Sequence, residues 1–270
     1  MSGRLYAEVI GDPVAHSKSP LIHNFWLKKL GIDAEYRACH VRPQELADFF
    51  AGRRRDAEWR GCNVTIPHKQ SALSLLDTVT REATAIGAVN TVRRSEDGRT
   101  HGRNSDVHGI WRALDGVVVE DSRIVVIGGG GAARAAAFAL SKRRPAHVTI
   151  MNRSVEKARD LLEEFHLLGD AQPLGPAPEA ALIINASSLG MTGQPPLSVG
   201  LDAIPASATV FDMVYSPVDT PLLRAARDRG LRAIDGLVML VEQAAEAFAA
   251  FFSENAPREY DAELRALLTR

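Results

Sequence analysis

Cysteine is scarce in this 270-residue chain: only Cys39 and Cys62 occur, and they form no CxxC pair. Two thiols build no disulfide framework, so the chain reads as a reduced protein held together by its core. Neither sign of charge is in excess, with 32 Lys and Arg against 33 Asp and Glu, so no global field recruits nucleic acid or an anionic membrane. The densest basic runs, Arg53-Arg54-Arg55 and Lys142-Arg143-Arg144, have no interleaved aromatics and read as solvated charge. Long apolar runs are missing too. The most apolar tract, "GLVMLVEQAAEAFAAFF", is interrupted by Glu242, Gln243 and Glu246, which makes it too polar to span a bilayer. Glu8 breaks the apolar stretch near the start, so that stretch does not read as a signal peptide. The eight histidines show no ligand spacing such as HExxH, and no metal is expected. These exclusions leave a soluble cytoplasmic protein, monomer or homodimer, with neither nucleic acid nor membrane as partner.

What is present is apolar residue in quantity, 46% of the chain, enough for a substantial core. Strand-like and helix-like segments alternate. "LYAEVIG", "AEYRACHV" and "GCNVTIP" read as strands. "SPLIHNFWLKKLG" reads as a helix capped by Ser19, with Pro20 in its first turn, Ile22, Phe25, Trp26 and Leu30 on one face, and Gly31 as its stop. "PQELADFFAG" is a second helix, and a third is expected to start at Pro67. "AVNTVRRSEDGRTHG" is a hairpin turned by Asp97-Gly98. A helix from about Asp106 to Leu114 follows, then "SRIVVIGGGGAAR". After that "HVTIMN", "ALIINASS", "TVFDMVY" and "RAID" are strands, with "GDAQPLGPAPEA" as a loop. This βαβα order argues an α/β fold with a mostly parallel sheet and helices on both faces. Boundaries fall near 104 and 237, giving domains 1–104 and 105–237. Two final helices, from about Gly236 and Glu259, need an apolar surface and are expected to return over 238–270 to the first domain.

"RIVVIGGGGAARAAAFAL" is a buried strand, four glycines and an Ala-rich helix. Read as GxGxxA, its fingerprint residues are Gly128, Gly130 and Ala133. The first permits a tight turn, the second lets backbone approach a pyrophosphate, and the third allows close helix–strand packing. Free N–H groups at the helix start around Gly131 and Ala132 then face anionic oxygens. A tight turn that binds nothing is the competing reading. The next strand ends in "NRSVEK", a little over twenty residues on. An NAD-binding unit favours a carboxylate there, for the ribose 2′-OH. Arg153 instead suits a 2′-phosphate, with Asn152 and Ser154 as further hydrogen-bonding groups and Lys157 one turn beyond. Glu156 is expected to point along the following helix, out of the way. The expected cofactor is NADP(H). On the competing reading Ser154 merely caps a helix and Arg153 is solvated.

Reacting groups are sought at strand ends that meet helix starts. Lys69, in "NVTIPHK", would lie in the first turn of the helix from Pro67. The dipole there disfavours an ammonium, as a proton-transfer lysine requires. Asp106, in "GRNSDVHGIW", follows Asn104 and Ser105, either of which can cap, and could orient such a lysine. Ser17 and Ser19 in "AHSKSP" offer hydroxyls. Each has a bland alternative: a solvated lysine, a carboxylate answering the dipole, capping serines.

Taken in order, "GDPVAHSKSPLIHN", "GCNVTIPHK", "GAVNT", "GRNSDVHG", "GGGGAAR", "NRSVEKA", "NASSLGM", "DMVYSP" and "DGLVMLVEQAA" resemble the shikimate dehydrogenase family along nearly the whole chain. The resemblance implies reversible NADP-dependent reduction of 3-dehydroshikimate to shikimate, on the way to aromatic amino acids. It implies an N-terminal substrate domain with a mixed sheet, a Rossmann-like NADP domain, and a C-terminal return to the first domain. It also implies that Ser17 and Ser19 bind the substrate carboxylate, that Asn63 and Thr65 face the ring, and that Asn90 meets a hydroxyl. Lys69 is the implied catalytic lysine and Asp106 its partner. Tyr215 and Gln243 complete the pocket, and Gly236 lies near the nicotinamide. Three positions depart from the family pattern. Ser105 replaces Thr and keeps the hydroxyl; a glycine replaces Ala in the GAGG turn, which should only loosen it; Val238 replaces Gly and adds bulk near the nicotinamide. Alternatives are a quinate/shikimate dehydrogenase of broader use, a non-catalytic NADP sensor, which has no need of Lys69, Asp106 and the serines together, and a methyltransferase, which predicts an acid where Arg153 stands.

Overall fold

The computed structural model describes residues 3–270 and divides into two compact units. One runs up to Ser105 and resumes at Val241–Arg270; the other is Asp106–Leu240.

The first unit holds β1 (Leu5–Gly11), α1 (Ser19–Leu30), β2 (Ala34–His40), α2 (Leu46–Arg54), β3 (Trp59–Val64), β4 (Thr78–Val79), α3 (Arg81–Ile86), β5 (Thr91–Arg94) and β6 (Thr100–Arg103). Its sheet runs β2-β1-β3-β5-β6-β4. β1 pairs in parallel with β2 and β3, while β3, β5 and β6 are antiparallel neighbours, so the sheet is mixed. Side chains alternate along β1: Tyr6 and Ile10 join the cluster with Phe50, Trp59 and Val64, whereas Ala7 and Val9 join Tyr36, Ala247 and Phe251. Both faces are therefore covered. Glu8, fully buried on the central strand, survives there because the Arg53 guanidinium meets its carboxylate at 2.6 Å and Arg37 lies 3.5 Å away.

The second unit holds α4 (Asp106–Ala113), β7 (Arg123–Ile127), α5 (Gly131–Ser141), β8 (His147–Met151), α6 (Val155–Glu164), β9 (Gly169–Gln172), β10 (Leu182–Asn185), β11 (Thr209–Asp212), α7 (Pro221–Asp228) and β12 (Arg232–Ile234). The sheet, β12-β11-β10-β7-β8-β9, is parallel at every pairing. The strand order reverses between β7 and β10, the switch point at which such sheets gather ligands. Ile124 to Ile127 are all buried, as a strand covered on both faces requires. α8 (Gly236–Phe252) begins in the second unit and ends in the first, which also contains α9 (Asp261–Leu268).

Several expectations need correction. No helix starts at Pro67: β3 leads into a turn with a cis Ile66–Pro67 bond, and only a 3-10 helix follows, over Ser71–Leu75. The dipole argument for Lys69 lapses with it. Ser19 does not cap α1. Lys18 holds the cap position without a side-chain bond, and Ser19 is the first helical residue. The buried face of α1 is Ile22, His23, Trp26 and Leu27; Phe25 sits edge-on to Tyr260, and Leu30 is exposed. "GDAQ" is no loop but the edge strand β9, its polar residues suited to a strand paired on one side only.

Candidate functional site

In the first unit, the segment carrying Lys69 is tied down by backbone bonds. Thr65 N–H donates to Ile10 O (2.9 Å), Asp12 N–H to Ile66 O (3.0 Å), and His68 N–H to Thr65 O (2.9 Å). The buried His68 ring places a nitrogen 2.6 Å from Val41 O. Val89 N–H then donates to Lys69 O (2.8 Å), which joins the lysine's backbone to the residue before Asn90. A half-buried lysine is thus held at a strand end without helical support.

A buried polar network joins the strands of this unit, starting at Asn90, the residue after Val89. The Tyr36 hydroxyl donates to Asn63 Oδ1 (2.6 Å), and Asn63 Nδ2 donates to Asn90 O and to Thr91 Oγ1, each at 3.2 Å. Asn90 Oδ1 accepts from Ser105 N–H (2.7 Å) and from the Thr91 hydroxyl (3.0 Å). The Ser105 hydroxyl is 3.1 Å from Asn90 Oδ1 and 3.4 Å from Gln243 Oε1. Asn104 Nδ2 donates to Ala88 O (2.9 Å). Asn63, Asn90 and Gln243 are therefore brought together, on β3, the β5 entry and α8. Thr65 is half-buried beside them in sequence. Ser17 and Ser19 stand at the start of α1, where Ser19 N–H donates to Ser17 Oγ (3.3 Å); Ser19 is buried and Ser17 half-buried.

Behind Tyr36 stands His23, stacked on its ring at 4.0 Å and 4°. Neither ring nitrogen of this fully buried histidine has a hydrogen-bond partner among the described residues, and burial pushes its pKa down to about 3.

In the second unit, the glycine turn follows β7. Gly128 has φ 127°, and a Cβ there would come within 2.8 Å of Ala186 O at the end of β10, so only glycine fits. Gly130 is the cap residue of α5, exposed, with nothing within 4 Å of where a Cβ would lie. Gly131 and Ala132 open the helix, and Ala133 is buried against the strand side. The glycine at 129 does more than loosen the turn. A Cβ would stand 2.7 Å from Asn152 Nδ2, so its absence lets the Asn152 amide rest over the turn. Asn152 also donates to Ser154 O (3.0 Å).

Arg153 is exposed at the β8–α6 corner. Ser154 caps α6, its oxygen accepting from Lys157 N–H (3.4 Å) while its hydroxyl donates to Glu156 Oε2 (3.1 Å). Glu156 therefore turns back onto the cap rather than along the helix. Its own backbone N–H and the Ser154 hydroxyl hold its carboxyl below the usual range. Asp106, buried, opens α4. Tyr215 is half-buried after β11. Gly236 opens α8 where a Cβ would meet Met213 O at 2.4 Å, and Asp235 Oδ1 accepts from Leu237 N–H (3.0 Å). Val238 is half-buried one position further on.

Sequence reasoning missed the Asn185–Asp212–Thr220 cluster, although "NASSLGM" and "DMVYSP" contain two of its members. Asp212 accepts from Asn185 Nδ2 (2.8 Å), Val214 N–H (3.0 Å) and the Thr220 hydroxyl (2.6 Å). Burial nevertheless raises its pKa.

Family profiles match two stretches of the chain: that of the shikimate dehydrogenase substrate binding domain covers residues 9–92, and that of shikimate / quinate 5-dehydrogenase covers 113–180. A shikimate dehydrogenase (NADP(+)) of Sphingopyxis alaskensis is 51% identical over 264 residues, spanning 97% of this chain and 96% of the relative. The chain belongs to the shikimate dehydrogenase family. Among solved structures, the shikimate 5-dehydrogenase of Thermus thermophilus in complex with NADP(H) and shikimate superposes with a TM-score of 0.84 at 36% identity, over 98% of this chain and 99% of that one. Quinate dehydrogenase of Corynebacterium glutamicum in complex with NAD gives 0.85 at 26% identity, covering 98% and 99%.

Membership places the mixed sheet and the parallel, Rossmann-like sheet of this chain in the family's two-domain plan. No helix among the described residues is long and apolar enough to cross a membrane.

Proposed function

We propose that this chain catalyses the reversible NADPH-dependent reduction of 3-dehydroshikimate to shikimate, in aromatic amino acid biosynthesis. The first unit serves substrate and the second the dinucleotide. The observation that carries the reading is the Val89–Lys69 backbone bond, which ties the lysine to the strand end bearing Asn90, beside Asn63. The second unit fits the cofactor: the open face of Gly130, a helix start without a side-chain cap, and an exposed arginine suit a pyrophosphate and a 2′-phosphate. Gly128, Gly130, Gly131 and Ala132 would hold the former. Arg153, with Asn152, Ser154 and Lys157, would hold the latter, and Gly236 would lie by the nicotinamide. When bound, the dinucleotide supplies the hydride in reduction and takes it up in oxidation.

Lys69 Nζ gives a proton to the developing alkoxide in reduction and takes it back in oxidation, with Asp106 assigned to orient it. Ser17 and Ser19 bind the carboxylate at the start of α1, where N–H dipoles favour an anion. Asn63, Thr65, Asn90, Tyr215 and Gln243 fix the ring and its hydroxyls. Cytoplasmic residence and a monomeric or homodimeric state accompany this reading.

The test is absorbance at the reduced-nicotinamide band with shikimate and NADP, run beside NAD and beside quinate. Turnover with the first pairing alone is the expected result; equal turnover with quinate or NAD moves the assignment to a broader enzyme. Lys69→Ala should lower kcat by roughly 10²–10⁴-fold with KM little changed. A variant of near-normal kcat would remove Lys69 from the mechanism.

A further inference from the structure

Thr91 is the one residue of "GAVNT" that combines complete burial with a hydroxyl set between two side chains of the substrate set. Asn63 Nδ2 lies 3.2 Å from Thr91 Oγ1, Asn90 Oδ1 lies 3.0 Å away, and Ser105 Oγ lies 3.1 Å away.

The protons can be assigned by elimination. Asn63 must turn its Nδ2 towards Asn90 O, because a carbonyl only accepts, so its Oδ1 faces the Tyr36 hydroxyl. The second Nδ2 proton then points at Thr91, whose oxygen accepts it. The single Thr91 proton goes to Asn90 Oδ1 at 3.0 Å rather than to Ser105 Oγ at 3.1 Å, because the Ser105 hydroxyl itself donates to that same carbonyl oxygen. That same oxygen accepts from Ser105 N–H at 2.7 Å, so a flipped Asn90 amide would oppose donor to donor. The Asn90 carbonyl oxygen is therefore committed inward, and the amide cannot flip.

We propose that Thr91 is a positioning residue for substrate, one that sets the side-chain amides of Asn63 and Asn90 through its hydroxyl without touching the ligand itself. This rests on the shikimate reading given above.

Two pairs of residues at position 91 differ chiefly in the hydroxyl: Thr against Val, which also share a shape, and Ser against Ala. The experiment measures kcat and KM for shikimate and for NADP in wild type, Thr91→Val, Thr91→Ser and Thr91→Ala, with the melting temperature of each. Losing one positioning hydrogen bond should raise the shikimate KM about fivefold or more in Val relative to Thr, and in Ala relative to Ser. The NADP KM should stay within about twofold, and Ser should recover most of the wild-type value. If Val alone fails to fold, the Ser–Ala pair still decides.

Equal shikimate KM values within both pairs would overturn the proposal, as would a Ser variant as impaired as Val. A wild-type protein that neither binds nor oxidises shikimate would instead sink the functional reading on which the proposal stands.

Discussion

In the first unit Asn63, Asn90 and Gln243 are buried within one hydrogen-bonded network; in the second the residues proposed for the dinucleotide phosphates are a bare backbone turn and an exposed arginine. Asn63 and Asn90 already spend most of their hydrogen-bonding capacity on Tyr36, Thr91 and Ser105. Gly130 and Arg153 stand open to solvent. The difference follows from the proposed ligands. A small polyol ring bearing one carboxylate is told from its relatives by the direction of a few hydrogen bonds, which requires side chains that cannot rotate. A phosphate is recognised by charge and by any N–H that can reach it, so an open turn and a mobile guanidinium suffice. The first unit should therefore respond most to the loss of single hydroxyls, and the second most to salt.

The contrast breaks most sharply at Arg153. Arg153→Ala should raise the NADP KM roughly tenfold or more, since a hydrogen bond to a charged group contributes about 1.5–3 kcal/mol. The weak binding of NAD should hardly change, and the shikimate KM should not move. The wild-type NADP KM should also rise with ionic strength, and the variant's less so. Equal losses for NADP and NAD would show that Arg153 does not read the 2′-phosphate.

Much of this contrast could be read before the fold was known, because it rests on local chemistry. Gly128 announces a turn that only glycine can make, Asp97-Gly98 announces the hairpin, and Arg153 stands where an acid would mark NAD. What could not be read is non-local. Pro67 suits a first helical turn and a cis turn equally well, and the choice is made by backbone bonds to Ile10 and Val89. "GDAQ" carries no strand signal of its own and becomes β9 only because β8 offers an edge. The bonds joining Tyr36, Asn63 and Thr91 link three strands, and no spacing reveals them.

A smaller effect sharpens the comparison from the side of stability. His23 lies in the interior of the first unit, its folded pKa of about 3 well below the 6.5 of an ordinary histidine because burial disfavours the cation. As pH falls through 6.5, the unfolded chain takes up a proton that the folded chain refuses. The stability present above 6.5 is thus lost progressively towards 3. Between pH 6.5 and 5.5 this amounts to about 1 kcal/mol. His23→Phe keeps the stack on Tyr36 without titrating, so the fall in urea midpoint over that range should be shallower in the variant. Parallel curves for the two proteins would remove His23 from the account.

The smallest expected effect concerns Glu156, which bends back to accept from the Ser154 hydroxyl at the corner where the 2′-phosphate is proposed to sit. Its carboxylate is held ionised there by the Ser154 hydroxyl and its own backbone N–H. A phosphate arriving at Arg153 would meet that negative charge and displace it from Ser154. Glu156→Gln removes the repulsion and leaves a side chain able to hydrogen-bond. An exposed charge acts weakly, so the NADP KM should fall only about two- to fivefold at low salt, with NAD unaffected. The gain should shrink as salt is added. An NADP KM that rises in the variant would mean that Glu156 supports the corner more than it opposes the phosphate. The second unit would then share the first unit's dependence on fixed side chains.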